Sequence, residues 1–367
     1  MNNLRQTLSQ YWRNIQETLF PWVVEEVGDL SEKQRQLVAT LELLRIENHV
    51  RNVRGFRGRP SEDRKALARA FVAKAVYGIA TTSHLRERLL ADSTLRQICG
   101  WNLRREVPSE STFSRAFAQF SRNQLAERVH EAIIAEYQAD RLVGHISRDS
   151  TEIEVREKAV PKPKPTPQKE KRKRGRAPKG TPPAIKQVPR LERQLAMTLQ
   201  EMIKELPKIC DIGCKKNSHG YTEHWRGYKL HLDVADGQIP ISCILTSASL
   251  HDSQVAIPLA TMTAQRVKNL YDLMDSAYDA NAIREYSHSF GHVPIIDHCP
   301  RSGEKKEFAP HEARRYQERS AIERVNGRLK EEFGARLILF RGHSKVMAYL
   351  MFGILALTAD QLLRLVS

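Results

Sequence analysis

The sequence predicts an all-helical N-terminal domain followed by an α/β domain in which helices cover both faces of a mixed sheet. Residues 1–140 repeat apolar side chains at the helical period, as in "SEDRKALARAFVAKAVYG", which predicts an amphipathic helix. Polar residues such as Ser31 and Ser61 precede helical runs as candidate N-caps. Beyond residue 140, short alternating β-branched runs separated by turn residues predict strands. We therefore predict domains at 1–140 and 141–367.

The elements of the α/β domain follow in order along the chain. "GHISRDSTEIEV" predicts the first strand, and "RGYKLHLDVADGQIPISCILTSAS" predicts a hairpin that turns at Asp236 and Gly237. A helix, a strand, a helix and a strand follow in "HDSQVAIPLATMTAQRV", "NLYDLMDSAYD", "ANAIREYSHSF" and "HVPIIDHC". A long helix from about Pro310 and an apolar helix over 346–359 complete the series. Three strands in a meander, then alternating helices and strands, predict a mixed α/β layer sandwich.

Positive charge is concentrated in one segment of the chain. The net charge of +16 indicates a polyanionic partner such as nucleic acid. Residues 158–190 hold twelve Lys or Arg and one Glu, a local charge of +11, so the rest of the chain carries +5. This segment is rich in Pro and poor in apolar residues, which predicts a disordered insertion. It is either an arm attracted to DNA phosphates or a solvated linker.

Cysteine content and hydropathy indicate the compartment. Five cysteines without a regular framework favour a reducing environment. Cys210 and Cys214, with His219 and His224 downstream, suggest zinc, but their CxxxC spacing departs from the usual CxxC knuckle, so ordinary thiols are the preferred interpretation. The start of the sequence lacks a signal-peptide pattern, and the apolar run 346–359 is too short to cross a bilayer. We predict a cytoplasmic protein that does not enter a membrane.

Three carboxylates, which we call the acid triad, are the candidate metal ligands. Asp149 follows an apolar alternation, Asp275 ends "LYDLMD", and Glu323 lies in a predicted helix. Carboxylates at strand ends must be solvated, paired or bound to a metal. Two Asp and one Glu suit Mg²⁺, and a pair of such ions supports in-line attack on a phosphodiester.

Four other acids are rivals of the triad. Glu152 and Glu154 lie just beyond Asp149 on the same predicted strand. Asp272 is three residues from Asp275, so the two side chains point to opposite faces of a strand. Asp252, in "LHDSQ", is interpreted as the N-cap of its helix.

The stretch "YQERSAIERVNGRLK" combines the third acid with cations. On a continuous helix, at about 100° per residue, four polar side chains share a face about 60° wide: Tyr316, Arg319, Glu323 and Lys330. An apolar stripe lies beside them: Ile322, Val325, Leu329 and Phe333. The arrangement suits phosphate binding, by an Arg fork and a Lys charge, next to the third acid. The alternative is a salt-bridged surface helix, since Arg319 and Glu323 form an i,i+4 pair.

The spacing Tyr-x2-Arg-x3-Glu-x6-Lys resembles the signature of insertion-sequence transposases of the acidic-triad (DDE) class, and this chain matches it without a gap. "DST" at 149–151 and "DSAYD" at 275–279 are similar to the two aspartate motifs of that class. "PSESTFSRAF" at 108–117 resembles the end of its helical N-terminal domain.

The resemblance implies a ribonuclease H-like catalytic domain and a bacterial, nucleoid-associated enzyme. It implies binding of terminal inverted repeats, cleavage of the ends with two Mg²⁺ ions, which Mn²⁺ could replace, and transfer of the 3′ hydroxyl ends to target DNA. The N-terminal domain would bind double-stranded DNA and support a homodimer or larger assembly. The triad would hold the metals, and three residues would contact DNA: Tyr316, Arg319 and Lys330. The alternatives are a domesticated, non-catalytic derivative and another nuclease of this fold, such as a junction resolvase.

Overall fold

The structure is a computed structural model that describes Glu25 and residues 28–51, 62–138, 141–161, 188–216, 219–300 and 304–365. Its N-terminal part is helical: α1 (Glu32–Leu44), α2 (Arg64–Val76), α3 (Thr82–Ala91), α4 (Ser93–Cys99), α5 (Glu110–Arg122) and α6 (Leu125–Gln138). Ser31 caps α1 through a capping box with Gln34, as predicted. Ser61 lies outside the described residues, and the N-cap of α2 is Asp63, whose side chain accepts from the backbone N–H of Lys65.

Helix α2 is not the amphipathic helix that its sequence predicts. Nearly all of its side chains from Ala66 to Val76 are buried, because α2 packs against several other helices and not against one surface. Even Lys74 is only 2% exposed, and its ammonium donates hydrogen bonds to the carbonyls of Ile79 (2.6 Å) and Ala80 (3.0 Å). The contacts of α2 are tertiary, so its own sequence periodicity could not reveal them.

The second half of the chain forms a six-stranded mixed sheet, which confirms the predicted fold class. The strands are β1 (Leu142–Glu154), β2 (Asp211–Lys216), β3 (Thr222–Ala235), β4 (Ile239–Ser247), β5 (Lys268–Met274) and β6 (Val293–Ile296). Antiparallel β3 borders β1 on one side, and parallel β5 and then β6 lie on the other. Strands β2 and β4 pair with successive parts of the far edge of β3. The predicted hairpin is confirmed, whereas β2 was not predicted.

Seven helices are described in this half: α7 (Arg190–Gln194), α8 (Leu199–Glu205), α9 (Ser253–Ala264), α10 (Asn281–Ser289), α11 (Pro310–Tyr316), α12 (Ser320–Glu331) and α13 (His343–Arg364). The prediction of one long helix from Pro310 is wrong, because a 3₁₀ turn at Gln317–Arg319 separates α11 from α12. Most of the predicted basic insertion, residues 162–187, lies outside the described residues.

Helix α13 joins the helical region to the sheet. By length and composition it could cross a membrane, but 94% of its most apolar window is buried inside the protein. It packs on α1, α2, α5 and α6 and also on β4. Phe352 of α13 meets Phe71 and Phe117 of the helical region at ring-centroid distances of 5.7 and 6.3 Å. One continuous hydrophobic core therefore runs through both halves of the chain, with α13 as its central helix.

A buried ion pair fixes the central strand. The guanidinium of Arg148 on β1 donates two hydrogen bonds to the carboxylate of Asp233 on β3, at 2.8 and 2.7 Å, and both side chains are at most 1% exposed. Thr263 of α9 donates a third hydrogen bond to Asp233 (2.6 Å). Arg148 is also the register partner of Met274, the residue before Asp275. The pair therefore holds β1 in place one residue before Asp149.

We predict that Asp233→Leu destabilises the protein by about 3–5 kcal/mol, because it leaves the Arg148 guanidinium buried without its counterion. The double variant Arg148→Met/Asp233→Leu should recover most of that loss, since neither charge remains. Chemical denaturation measures both free energies of unfolding. A loss below about 1 kcal/mol in the single variant would show that the pair has no such role.

Candidate active site

The strand register places the first two acids of the triad side by side. The last register partners of parallel β1 and β5 are Arg148 and Met274, and the next residue on each strand is Asp149 or Asp275. Asp275 then caps a 3₁₀ turn, because its Oδ1 accepts from the N–H of Ala277 at 3.0 Å. Asp275 therefore directly follows the end of β5, and Asp149 lies within β1 at the point where β1 and β5 cease to pair.

Helix α12 carries the third acid over the sheet. The apolar stripe predicted from the sequence is confirmed, since its four members are at most 2% exposed: Ile322, Val325, Leu329 and Phe333. The 3₁₀ turn before α12 packs on β1 and β5, and the hydroxyl of Ser147 donates to the carbonyl of Glu318 at 3.4 Å. Because the stripe faces the core, Glu323 points away from it, and 61% of its side chain is exposed.

One guanidinium, that of Arg319, lies among all three acids. Its Nη1 donates a hydrogen bond to Glu323 Oε1 at 2.8 Å. Its Nη2 lies 3.4 Å from Asp149 Oδ2 and 3.9 Å from Asp275 Oδ2. Only 15% of the Arg319 side chain is exposed. The triad thus converges in space although its members are far apart in sequence.

The acid triad and Arg319 together carry a net negative charge. Burial raises the pKa of Asp149 to about 6, against the opposing effect of Arg319. Burial also raises the pKa of Asp275. Three ionised carboxylates and one guanidinium sum to −2, which is the charge that one divalent cation neutralises.

The three carboxylates are the type of ligand that Mg²⁺ prefers, but their side chains are not arranged around a common metal position. Three carboxylates supply hard oxygen ligands, and open space on the Glu323 side leaves room for water and substrate oxygens. Within the described part of the chain, no three Asp, Glu, His or Cys side chains are arranged as a metal site. The oxygens of the triad face Arg319 instead.

The second predicted phosphate ligand, Lys330, is held by one of the rival acids. Its ammonium lies 2.7 Å from Glu152 Oε1, and Lys215 of β2 lies 3.0 Å from Oε2 of the same carboxylate. Although burial opposes ionisation, the hydrogen bonds from Lys330 and Lys215 lower the pKa of Glu152 to about 2. Glu152 therefore serves as a counterion on β1, and Glu154 is exposed near the end of the strand.

Tyr316 is the last residue of α11 and lies just before the 3₁₀ turn. Its ring packs on that of Phe308 with centroids 4.7 Å apart. Burial raises its pKa to about 12, so the phenol keeps its proton at neutral pH and remains a hydrogen-bond donor.

The two remaining rivals have different environments. Asp272 is 3% exposed and accepts hydrogen bonds from the Asn269 amide (3.0 Å) and the His292 ring (3.2 Å), so it belongs to the interior. Asp252 occupies the N-cap position of α9, but its side chain makes no capping hydrogen bond. It accepts from Lys229 Nζ at 2.9 Å instead. Asp252 therefore has the predicted N-cap position, but the prediction that its side chain caps the helix is wrong.

Asp252 is also a member of the acidic cluster that the sequence did not reveal. Its charge raises the pKa of both Asp149 and Asp275, which places it within electrostatic reach of the two. Lys229 and Asp252 are 13% and 19% exposed and form a compensated pair beside the triad. The two residues lie in "GYKLH" and "LHDSQ". Neither motif shows that the two residues form an ion pair, because the pair exists only where β3 meets the start of α9.

Comparisons with known proteins agree with this geometry. Residues 144–359 match the model of the transposase DDE domain, and residues 24–119 match that of a second transposase domain, DUF772. The first match covers more than half of the chain and includes the whole triad. This chain belongs to the DDE transposases of insertion sequences. Neither a curated protein nor a solved structure is significantly similar to it.

We predict that protonated Asp149 stabilises the metal-free protein and that this contribution is lost as the pH rises from about 4 to 6. Below the ordinary value of 3.8, Asp149 is protonated in both the folded and unfolded states, and above about 6 it is ionised in both. Between these values only the folded state keeps the proton, so rising pH favours unfolding by about 2–3 kcal/mol in total.

The Asp149→Asn variant isolates this effect, because it removes the titration and leaves the other acids in place. Denaturation in the presence of EDTA at several pH values gives the two stability curves. Their difference should grow between pH 4 and 6 in favour of the variant. Parallel curves over this range would contradict the assigned environment of Asp149.

Proposed function

We propose that this protein cuts the ends of a mobile element and joins the freed 3′ hydroxyl groups to target DNA. The observation that carries the proposal is that Asp149, Asp275 and Glu323 all lie within 4 Å of one guanidinium, that of Arg319. Family membership supports the reaction class. The triad would hold two Mg²⁺ ions, or Mn²⁺ in their place, which supply activation of the nucleophile and stabilisation of the leaving oxygen.

The residues around the triad would bind and orient the DNA backbone. Arg319 can grip a phosphate through two parallel N–H donors, and Lys330 can hold a neighbouring phosphate as a point charge. Tyr316 keeps its phenolic proton and can donate a hydrogen bond to a phosphate oxygen. To bind DNA, Lys330 would leave its ion pair with Glu152. The free energy cost would be small because Lys215 remains paired with that carboxylate.

The helical region, residues 1–140, would recognise the element ends and support a homodimer or larger assembly, while 141–367 would form the catalytic domain. A cleft of about 950 Å³ supports this role, since three arginines and two hydroxyl groups line it: Arg64, Arg105, Arg115, Ser109 and Thr112. Three acids share its wall: Glu62, whose charge acts on Arg64, Asp63, which caps α2, and Glu106, which accepts from two backbone N–H groups. The three arginines would contact the phosphate backbone, and the two hydroxyl groups would donate hydrogen bonds to its oxygens.

We predict that Asp149→Asn, Asp275→Asn and Glu323→Gln each reduce Mg²⁺-dependent cleavage of a terminal-repeat duplex at least about 100-fold. Loss of a group that merely supports a metal ligand already costs about 10–100-fold. DNA affinity should change little, since each change removes a negative charge and no cation. Nicking of labelled end DNA and gel-shift titration measure the two quantities.

Three outcomes would count against this proposal. Full cleavage by Asp275→Asn or Glu323→Gln would refute the proposed mechanism. Binding of the ends without cleavage by the wild-type protein would indicate a domesticated derivative. Cutting of branched DNA without joining a donor 3′ end to a target would indicate a resolvase.

The basic insertion makes a separate prediction about DNA affinity. The variant Lys171→Gln/Arg172→Gln/Lys173→Gln/Arg174→Gln should lower the slope of log affinity against log salt by about 0.9 for every phosphate that these side chains neutralise in the wild type. The control Lys171→Arg/Lys173→Arg keeps the charge and should keep the slope. Equal slopes in the wild type and the glutamine variant would show that these four residues neutralise no DNA phosphate and lie in a linker.

A further inference from the structure

The contact between Arg319 and the triad conflicts with metal binding by the same carboxylates. The guanidinium nitrogens lie 2.8–3.9 Å from one oxygen of each acid. Mg²⁺ requires its oxygen ligands at about 2.0–2.1 Å in near-octahedral geometry. A guanidinium among the three acids therefore occupies the space in which a bridging ion would be coordinated.

Arg319 is also only partly satisfied where it lies. Its Nε is buried and has no hydrogen-bond partner among the residues that the structure describes. Its contacts with Asp149 and Asp275 are ion pairs longer than good hydrogen bonds, and the bond to Glu323 is the one short contact of the three. Movement of this guanidinium away from the triad would therefore break one short hydrogen bond and two longer ion pairs.

The backbone at Arg319 supports a second position of the side chain. Arg319 ends the 3₁₀ turn that separates α11 from α12, and a short 3₁₀ segment between helices often marks a hinge. Glu323, the acid bonded most closely to Arg319, is 61% exposed, so the guanidinium can swing outward past it toward solvent.

We propose that Arg319 is an exchangeable counterion of the acid triad: divalent metal displaces its guanidinium, which then becomes available to a DNA phosphate. Without metal, the guanidinium holds the three carboxylates together against their mutual repulsion. With metal, the same charge faces outward beside the reacting strand. Metal loading and the Arg319–phosphate contact are thereby coupled through one side chain. This inference rests on the proposed role of the triad as metal ligands.

The first test uses the unmodified full-length protein without DNA. Phenylglyoxal labels accessible guanidinium groups, and mass spectrometry quantifies labelling at each arginine. Labelling of Arg319 should rise several-fold in saturating Mn²⁺ relative to EDTA. Arg324, an exposed neighbour whose guanidinium bonds Ser320 Oγ, should be labelled equally in both conditions. Equal labelling of Arg319 with and without Mn²⁺ would overturn the exchange.

The second test compares Mn²⁺ affinities, measured by the electron paramagnetic resonance signal of the free ion. Arg319→Gln should bind Mn²⁺ at least about tenfold more tightly than the wild type, because it removes a competing positive charge about 4 Å from the ligands. Arg319→Lys keeps that charge and should lie closer to the wild type. The control Arg324→Gln should match the wild type. Arg319→Gln binding no more tightly than the wild type would contradict the exchange.

The variant Asp149→Asn separates a failure of this inference from a failure of the proposed function. If Asp149→Asn binds Mn²⁺ as well as the wild type does, the triad is not the metal site and the proposed function fails. If Asp149→Asn loses Mn²⁺ while Arg319 shows no change in labelling and Arg319→Gln no gain in affinity, the exchange alone is overturned.

Discussion

The register of β1 is the constraint on which the rest of the site depends. This strand bonds to antiparallel β3 along most of its length and to parallel β5 along its first half. A shift of one residue against β5 would move Asp149 away from Asp275 and turn it to the other face of the sheet. The buried pair of Arg148 and Asp233 opposes such a shift, since the residues that flank Asp233 on β3, Leu232 and Val234, carry no carboxylate.

The third acid reaches this point by packing and not by strand pairing. The apolar stripe of α12 anchors that helix on the sheet and on α13, the central helix of the shared core. Because α13 also carries the helical region, the position of Glu323 depends on the core of the whole chain. The site thus combines two acids that are placed by the register of β1 and β5 with a third acid on a separately anchored, more exposed element.

Much of the fold could be predicted because its strands carry clear alternation and its turns carry Gly, Asp or Asn. The edge strand β2 was missed because "DIGCKK" is short and charged, as protected edge strands often are, and so resembles a loop. The 3₁₀ turn at Gln317–Arg319 was missed because three residues at a slightly tighter pitch hardly disturb helical periodicity.

The candidate residues of the site were predictable from motif spacing, but their partners were not. Spacing nominates Arg319 and Lys330 as cations on one face, whereas the structure pairs one with the triad and the other with Glu152. The i,i+4 pair of Arg319 and Glu323 is visible in the sequence. The contacts of Arg319 with Asp149 and of Lys330 with Glu152 join residues more than 150 positions apart, and local periodicity carries no information about them. The position of Asp252 beside the triad is hidden for the same reason.

Three acids remote in sequence are proposed to form one metal-binding point. Fe²⁺ substituted for Mg²⁺ generates hydroxyl radicals in ascorbate and peroxide, and these cut the polypeptide near the bound ion. We expect cuts in three segments, around Asp149, around Asp275 and around 319–323, all suppressed by excess Mg²⁺. Cuts confined to one of these segments, or located elsewhere, would contradict the convergence of the triad on a metal.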